Sequence, residues 1–288
     1  MTDVQLFAVT PDGPQRVQLP QPPSSIHDLP PDLPYGVYTV FRTFEHNKFL
    51  GLADHLARVE QSADIIGWDY RLDKERVRLA LHRVCSAYER PEARVRIDVL
   101  AAAAPQLGIE SRVLITLAPF TPVPAACYEQ GVRLGLAPRL RRSEPRAKKA
   151  DFVLARRDYP RQQPDAFDYL LLDEDGNILE ASSSNFYVVR QGAVWTADDG
   201  VLEGITRKIV LQLIDDLDIP LRLQAIPLQE LADYDEAFLS SSSRGLVPVV
   251  AVAGQALGAG RPGPLTRRLM RAYERYVARE IRPAVGGG

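Results

Sequence analysis

The chain has 288 residues, 45% hydrophobic and 25% charged, the composition of a soluble globular protein of one large domain or two modest ones, and it excludes disorder, collagen and coiled coil. Thirty-five Lys and Arg against 37 Asp and Glu leave a net charge of −2, so the molecule as a whole carries no electrostatic footprint for nucleic acid or an anionic membrane. Two cysteines in unrelated contexts, Cys85 and Cys127, and four scattered histidines, His27, His46, His55 and His82, argue against a disulfide framework and a metal centre.

The first residues lack the basic-then-apolar order of a secretory signal, and the longest apolar stretch, 246–254, falls far short of the roughly 20 residues of a bilayer span. The expected location is cytoplasmic. Eight prolines in the first 34 residues limit regular structure there to one short strand near 4–9. From Tyr35 a β-branched and aromatic run predicts a strand, followed by a turn at 45–48. Leu52, Leu56, Val59, Ala63 and Ile66 recur at helical spacing, as do Val77, Leu81, Val84 and Tyr88, which predicts two amphipathic helices. Strands follow at 94–100 and 112–118; in the first, Val95, Ile97 and Val99 alternate with Arg94, Arg96 and Asp98. Three prolines in 119–124 stiffen the chain, and a linker over 119–126 separates an N-terminal domain, 1–118, from a C-terminal domain, 127–288. Strands at 132–136 and 169–173, a turn at 173–177 and a hairpin 186–189/193–196 through Gln191-Gly192 come next. Stripes at Ile209, Leu213 and Leu217 and at Leu265, Leu269, Tyr273 and Tyr276 predict helices, with strands at 237–239 and 247–252 between them. A loop at 254–263 and a flexible tail at 286–288 complete the chain.

Three segments of the second half carry chemistry. In Ile178-Leu179-Glu180-Ala181-Ser182-Ser183-Ser184-Asn185-Phe186 a carboxylate closes an apolar strand; by itself this reads first as a surface turn. In Leu202-Glu203-Gly204-Ile205-Thr206-Arg207, Gly and Thr precede a helical stripe, where free N–H groups and the positive helix end suit an anion. A plain N-cap has the same pattern. Phe238-Leu239-Ser240-Ser241-Ser242-Ser243-Arg244-Gly245 sets hydroxyls at a strand end where a phosphate could be cradled, although serine-rich turns commonly bind nothing. Six basic residues in 139–149 read alone as a solvated loop or a weak nucleic-acid patch, the latter disfavoured by the global charge.

Taken in order with Gly36-Val37-Tyr38-Thr39 and His55-Leu56-Ala57-Arg58-Val59-Glu60-Gln61-Ser62-Ala63, these segments resemble the pyridoxal-phosphate aminotransferases of fold type IV: branched-chain and D-amino acid aminotransferases and aminodeoxychorismate lyase. The resemblance runs from about Tyr35 to Gly254. It implies a two-domain α+β or α/β fold of the D-amino acid aminotransferase-like type, with a smaller N-terminal α/β domain and a larger C-terminal domain holding a β-barrel-like sheet. It also implies pyridoxal 5'-phosphate as cofactor, an amino acid or amine donor, a 2-keto acid acceptor, and a homodimer whose sites lie between domains, with neither nucleic acid nor membrane as partner.

Residue by residue, the resemblance implies Lys148, 32 residues before Glu180, as the Schiff-base lysine, with Lys149 as the alternative. Nearby Arg139, Arg141, Arg142 and Arg146 would favour its neutral, nucleophilic amine if close in space. Glu180 is implied to pair with the pyridine nitrogen of the cofactor, keeping it protonated and the ring electron-accepting. Arg58 is implied to grip the phosphate together with the N–H groups of Ile205 and Thr206, the Thr206 hydroxyl, Ser241 and Ser242. Tyr38 corresponds to an active-site tyrosine. Arg42, on the same strand face, is the candidate for a substrate carboxylate, with Arg94 or Arg96 as alternatives.

Three positions depart from the pattern: Thr39 where many aminotransferases have Glu, Phe152 near the position of a tyrosine in the branched-chain enzymes, and Ala181 in place of Gly. Thr39 is reminiscent of the lyase branch, so a pyruvate-eliminating lyase is the nearest alternative to a transaminase. A non-catalytic binding protein on the same fold is the alternative from another class.

Overall fold

The computed structural model describes residues 3–19, 23–28, 33–105 and 108–285. The expected tail at 286–288 lies outside them. The chain forms two compact units, Met1–Thr121 with Ala147–Val153 and Arg279–Gly288, and Pro122–Arg146 with Leu154–Ala278.

The first unit contains β1 (Gln5–Thr10), β2 (Gly13–Arg16), β3 (Val37–Arg42), β4 (Lys48–Phe49), α1 (Leu52–Ile65), α2 (Lys74–Ser86), β5 (Ala93–Val99) and β6 (Val113–Pro119). Five of the strands form an antiparallel sheet in the order β2-β1-β6-β5-β3. Strand β2 corrects the expectation of a single strand in the proline-rich lead-in. Gly13, at φ 119°, turns the chain, and Pro14 is tolerated because β2 is the sheet's edge, where a missing N–H costs no ladder bond. The proline expected to open the linker, Pro119, is the last residue of β6, opposite Ala93. Both helices bury their predicted stripes: Leu52, Leu56, Val59 and Ala63 with Val77, Leu81 and Val84 join Val37, Phe41, Val95, Ile97, Ile115 and Leu117 in one apolar core. Each large side chain fully buried in this way contributes about 1.5–3 kcal/mol.

The second unit is built on a mixed sheet. It contains α3 (Ala125–Glu129) and β7 (Val132–Leu136), and after α4 (Asp151–Ala155), at the boundary of the units, come α5 (Tyr159–Gln162), β8 (Asp168–Leu172), β9 (Asn177–Ala181), β10 (Asn185–Arg190), β11 (Ala193–Thr196), α6 (Ile205–Asp216), β12 (Leu221–Leu223), β13 (Ile226–Pro227), β14 (Glu236–Ser241), β15 (Gly245–Val252), β16 (Gln255–Ala256) and most of α7 (Pro264–Glu280). The strand order is β12-β11-β10-β14-β15-β7-β8-β9-β13, with β16 beside β15. Edges remain at β12 and β13, so the expected barrel-like sheet is a curled half-barrel. Gln191 at φ 52° and Gly192 at φ 75° make the tight turn between β10 and β11. β16 falls within the expected 254–263 loop; two residues of pairing leave no periodic signal. The core of this unit gathers Val132, Leu134, Leu170, Ile178, Phe186, Val188, Leu239 and Val249 from six neighbouring strands. Finally β17 (Arg282–Pro283) pairs with β4 in the first unit. No helix among the described residues is long and apolar enough to cross a membrane.

Candidate active site

In the first unit the candidate lysine is held by its backbone. The segment around it adds to the open edge of β3: Tyr38 N–H donates to the Lys148 carbonyl at 2.9 Å and Ala150 N–H to the Gly36 carbonyl at 2.9 Å. Gly36 is required there, because a Cβ would meet the Trp68 ring at 2.2 Å and the Val99 carbonyl at 2.4 Å. On the other side, Lys148 N–H donates to Ser62 Oγ at 3.1 Å, and Ser62 in turn donates to the Arg58 carbonyl at 2.7 Å. The lysine is thus tied to both β3 and α1. Its Nζ lies 4.9 Å from the centroid of the Tyr38 ring. Lys149, by contrast, is salt-bridged to Asp151 at 2.9 Å.

Residues 37, 39 and 41 of β3 face α1, whereas 38, 40 and 42 face the other way. On the α1 side, the Arg58 guanidinium, 6% exposed, donates to Thr39 Oγ1 at 3.1 Å, and Thr39 Oγ1 lies 2.7 Å from His55 Nδ1. Arg58 can only donate, so Thr39 Oγ1 accepts from it, and the direction of the Thr39–His55 bond is set by which ring nitrogen of His55 carries the proton. Burial, and then the charges of Arg58 and Lys148, hold the His55 pKa well below the ordinary value of 6.5. The imidazole is neutral at neutral pH.

On the opposite side of β3, the alternation of β5 ordinarily marks a half-solvated strand. Here both of its faces are buried. Arg96 and Asp98, each 1% exposed, form a two-pronged pair, Nε to Oδ2 at 2.8 Å and a terminal nitrogen to Oδ1 at 2.6 Å. Burial pushes the Asp98 carboxyl up even against the Arg96 charge. The Arg96 guanidinium carbon lies 4.3 Å from the Tyr38 ring centroid, and His27 Nδ1 is 3.2 Å from Arg96. Arg42 pairs with Glu92 and sits 4.4 Å and 3.9 Å from the ring centroids of Phe44 and Phe120. Arg94 lies 3.5 Å from His27 Nε2. Phe152, one of the departures, is buried on α4.

In the second unit Glu180 occupies β9 and is 1% exposed. Both of its oxygens are engaged: Oε1 accepts from Arg142 Nε at 2.5 Å, and Oε2 from Asn185 Nδ2 at 3.1 Å and Leu202 N–H at 3.2 Å. Two other arginines of the basic segment are also engaged within this unit, Arg146 by Asp199 and Glu203 and Arg141 by the carbonyls of Pro138 and Leu140. Ala181, the other departure, is fully buried opposite Leu170.

Helix α6 starts at Ile205 with Gly204 as its cap, and no side chain caps its first turn. A Cβ at Gly204 would meet Asn185 Oδ1 at 2.3 Å, so any larger residue would require the Asn185 side chain to shift. Thr206, buried, directs its hydroxyl at Ser242 Oγ over 3.5 Å. Ser241, the last residue of β14, and Ser242 after it are half-buried, while the neighbouring Ser240 is consumed by Tyr187 at 2.9 Å. The structure therefore groups Thr206, Ser241 and Ser242 at one place in the second unit, and Lys148, Arg58 and Tyr38 around β3 in the first.

Sequence reasoning misses three partners. Arg142 reads as one cation among several, with nothing local to link it to Glu180 38 positions away. Asp168 and Arg244, which bind the serine-rich turns, are 76 positions apart. The Thr39–His55–Arg58 contact has a local signal in part, the i, i+3 spacing of His55 and Arg58 on a helix facing the strand of Thr39.

The family described as amino-transferase class IV matches residues 36–252. A Thermotoga maritima protein named as a probable branched-chain-amino-acid aminotransferase is 31% identical over 252 residues, 84% of this chain and 86% of that protein. The D-alanine aminotransferase of Bacillus licheniformis is 28% identical over 258 residues, 87% of this chain and 90% of that protein. Among solved structures, a branched-chain aminotransferase of Thermoproteus uzoniensis with norvaline is 23% identical, with a TM-score of 0.76, and the match covers 98% of this chain and 99% of that one; at that identity the likeness shows the fold.

Proposed function

The chain belongs to the class IV aminotransferases, and from that premise we propose that it moves an amino group between an amino acid or amine and a 2-keto acid, using pyridoxal 5'-phosphate held by Lys148. The observation that carries this reading is the anchoring of Lys148, whose backbone is bound to both Tyr38 and Ser62, while Lys149 is taken by Asp151.

The donor set suits that cofactor: a primary amine, a buried carboxylate, an arginine and a helix start with no capping side chain beside three hydroxyls. When bound, the cofactor supplies the ring that accepts electrons as the substrate's Cα–H bond breaks. Lys148 would hold the cofactor through its Nζ, and the same amine would move the proton at the substrate's Cα. Glu180 keeps a proton on the ring nitrogen. Arg58, the first turn of α6, Thr206, Ser241 and Ser242 bind the phosphate. Tyr38, Arg42 and Arg96 serve the substrate side, and a homodimer is the working assembly.

The names of the two relatives make branched-chain and D-amino acids the first donors to test. With the purified protein, the cofactor and 2-oxoglutarate or pyruvate, a panel of D- and L-amino acids and chiral amines should release the matching keto product. Protein that binds the cofactor yet transfers from no donor contradicts the reading. Pyruvate release from aminodeoxychorismate with no acceptor present would assign the lyase instead.

A further inference from the structure

Two serine-rich turns, 182–184 and 240–243, leave the same end of the second sheet, because Asn185 of β10 lies opposite Ser240 of β14. An ion pair between buried Asp168 and half-buried Arg244 joins them. Asp168, 2% exposed at the start of β8, accepts from Ser182 Oγ at 2.7 Å, Ser183 Oγ at 2.7 Å and Ser184 Oγ at 3.0 Å. Arg244 donates to Ser183 Oγ and Ser184 Oγ, each at 2.6 Å, reaches Asp168 itself at 3.4 Å, and places Nε 3.1 Å from Ser241 Oγ. Its guanidinium carbon is 5.1 Å from the Phe167 ring centroid, and its carbonyl accepts from the Tyr128 hydroxyl at 2.8 Å.

The protons fix the direction of this network. Ser183 and Ser184 give their hydroxyl protons to Asp168, so their oxygens accept from Arg244. A guanidinium has no acceptor, so Ser241 Oγ also accepts from Arg244, and the Ser241 proton is left to donate elsewhere. An anion is the partner that such a hydroxyl, polarised by a neighbouring cation, serves best.

We propose that Arg244 is a positioning residue for the cofactor phosphate, orienting the Ser241 hydroxyl as a donor, with Asp168 and the 182–184 hydroxyls holding the guanidinium in place. This rests on the cofactor assignment above and extends it to residues remote in sequence from the glycine–threonine helix start.

The test is to titrate pyridoxal 5'-phosphate, and separately pyridoxal, which lacks the phosphate, into apo-protein of wild type, R244M, R244K, S241A and R244M/S241A, following bound cofactor by absorbance and folding by thermal unfolding. R244M and S241A should each weaken pyridoxal 5'-phosphate by about tenfold, the scale of one charge-assisted hydrogen bond, and leave pyridoxal within about twofold. R244K should recover part of the loss. The double variant should bind no worse than the weaker single one, because both act through the same bond. Wild-type affinity in R244M, equal losses for the two ligands, or losses that multiply in the double variant would overturn the proposal. Should R244M not fold, R244K and S241A carry the same discrimination between ligands. Wild-type protein that binds neither ligand removes the cofactor assignment itself.

Discussion

The charged groups at the candidate sites of the two units meet different neighbours. In the first, the Arg58 guanidinium meets the hydroxyl of Thr39, beside a histidine held neutral, and Lys148 faces the Tyr38 ring. In the second, carboxylates are buried and met by full cations, Glu180 by Arg142 and Asp168 by Arg244. A hydroxyl and a ring face orient these two side chains, and the amine acts as a nucleophile only in its neutral form. A guanidinium beside a buried carboxylate offsets the desolvation cost and keeps the acid in place. The Arg96–Asp98 pair shows that the first unit also buries compensated charge, on the side of β3 away from Arg58.

This contrast can be broken at several points. The largest effect is expected at Lys148: K148A should lower amino transfer by at least about a thousandfold, as loss of a nucleophile does, whereas K149A, which removes a partly exposed ion pair, should stay within about threefold; steady-state kinetics of both variants decides it. Next comes the buried pair of the second unit. R142A strands the Glu180 carboxylate and should cost about 3–5 kcal/mol of stability, as breaking a buried ion pair does, read from denaturant midpoints. If R142A unfolds like the wild type, Glu180 is not held as described.

The Asp168 cluster makes a pH prediction. Burial pushes its carboxyl up, but the Arg244 charge, the Ser182 and Ser183 hydroxyls and the Tyr169 N–H together hold it below the ordinary 3.8. A depressed native value means that the contribution is present above about pH 4 and disappears as the pH falls through the native value. D168N should therefore be less stable than wild type by about 1–3 kcal/mol at pH 7, and the gap should narrow on acidification below pH ~4. A gap of the same size at pH 7 and pH 3 would contradict the assignment. The smallest effect is at Thr39, where T39V removes one buried hydroxyl and should cost about 1 kcal/mol, with T39S near wild type; the same denaturant midpoints measure both.

What was legible in the sequence follows from how far apart the interacting residues lie. The helices of the first unit announced themselves because Leu52, Leu56, Val59 and Ala63 repeat at the period of the element they form. The Gln191-Gly192 turn was equally local, since both residues adopt positive φ. Lys148, Glu180 and the Thr206 helix start entered through short ordered segments, and the resemblance assigned their chemistry. Pairing across the fold had no such trace. Glu180 finds Arg142 only because β9 and the 139–146 segment share the second unit, and Arg244 finds Asp168 only through sheet order. Very short elements such as β16 and α3 were also invisible, having too few residues to show a period.

The claim on which the account depends is that Lys148 is the amine that holds the cofactor. Borohydride reduction of the protein loaded with pyridoxal 5'-phosphate, followed by proteolysis and peptide mass mapping, tests it directly. The account predicts the cofactor adduct on Lys148 with Lys149 unmodified, and an adduct on Lys149, or on neither lysine, would contradict it.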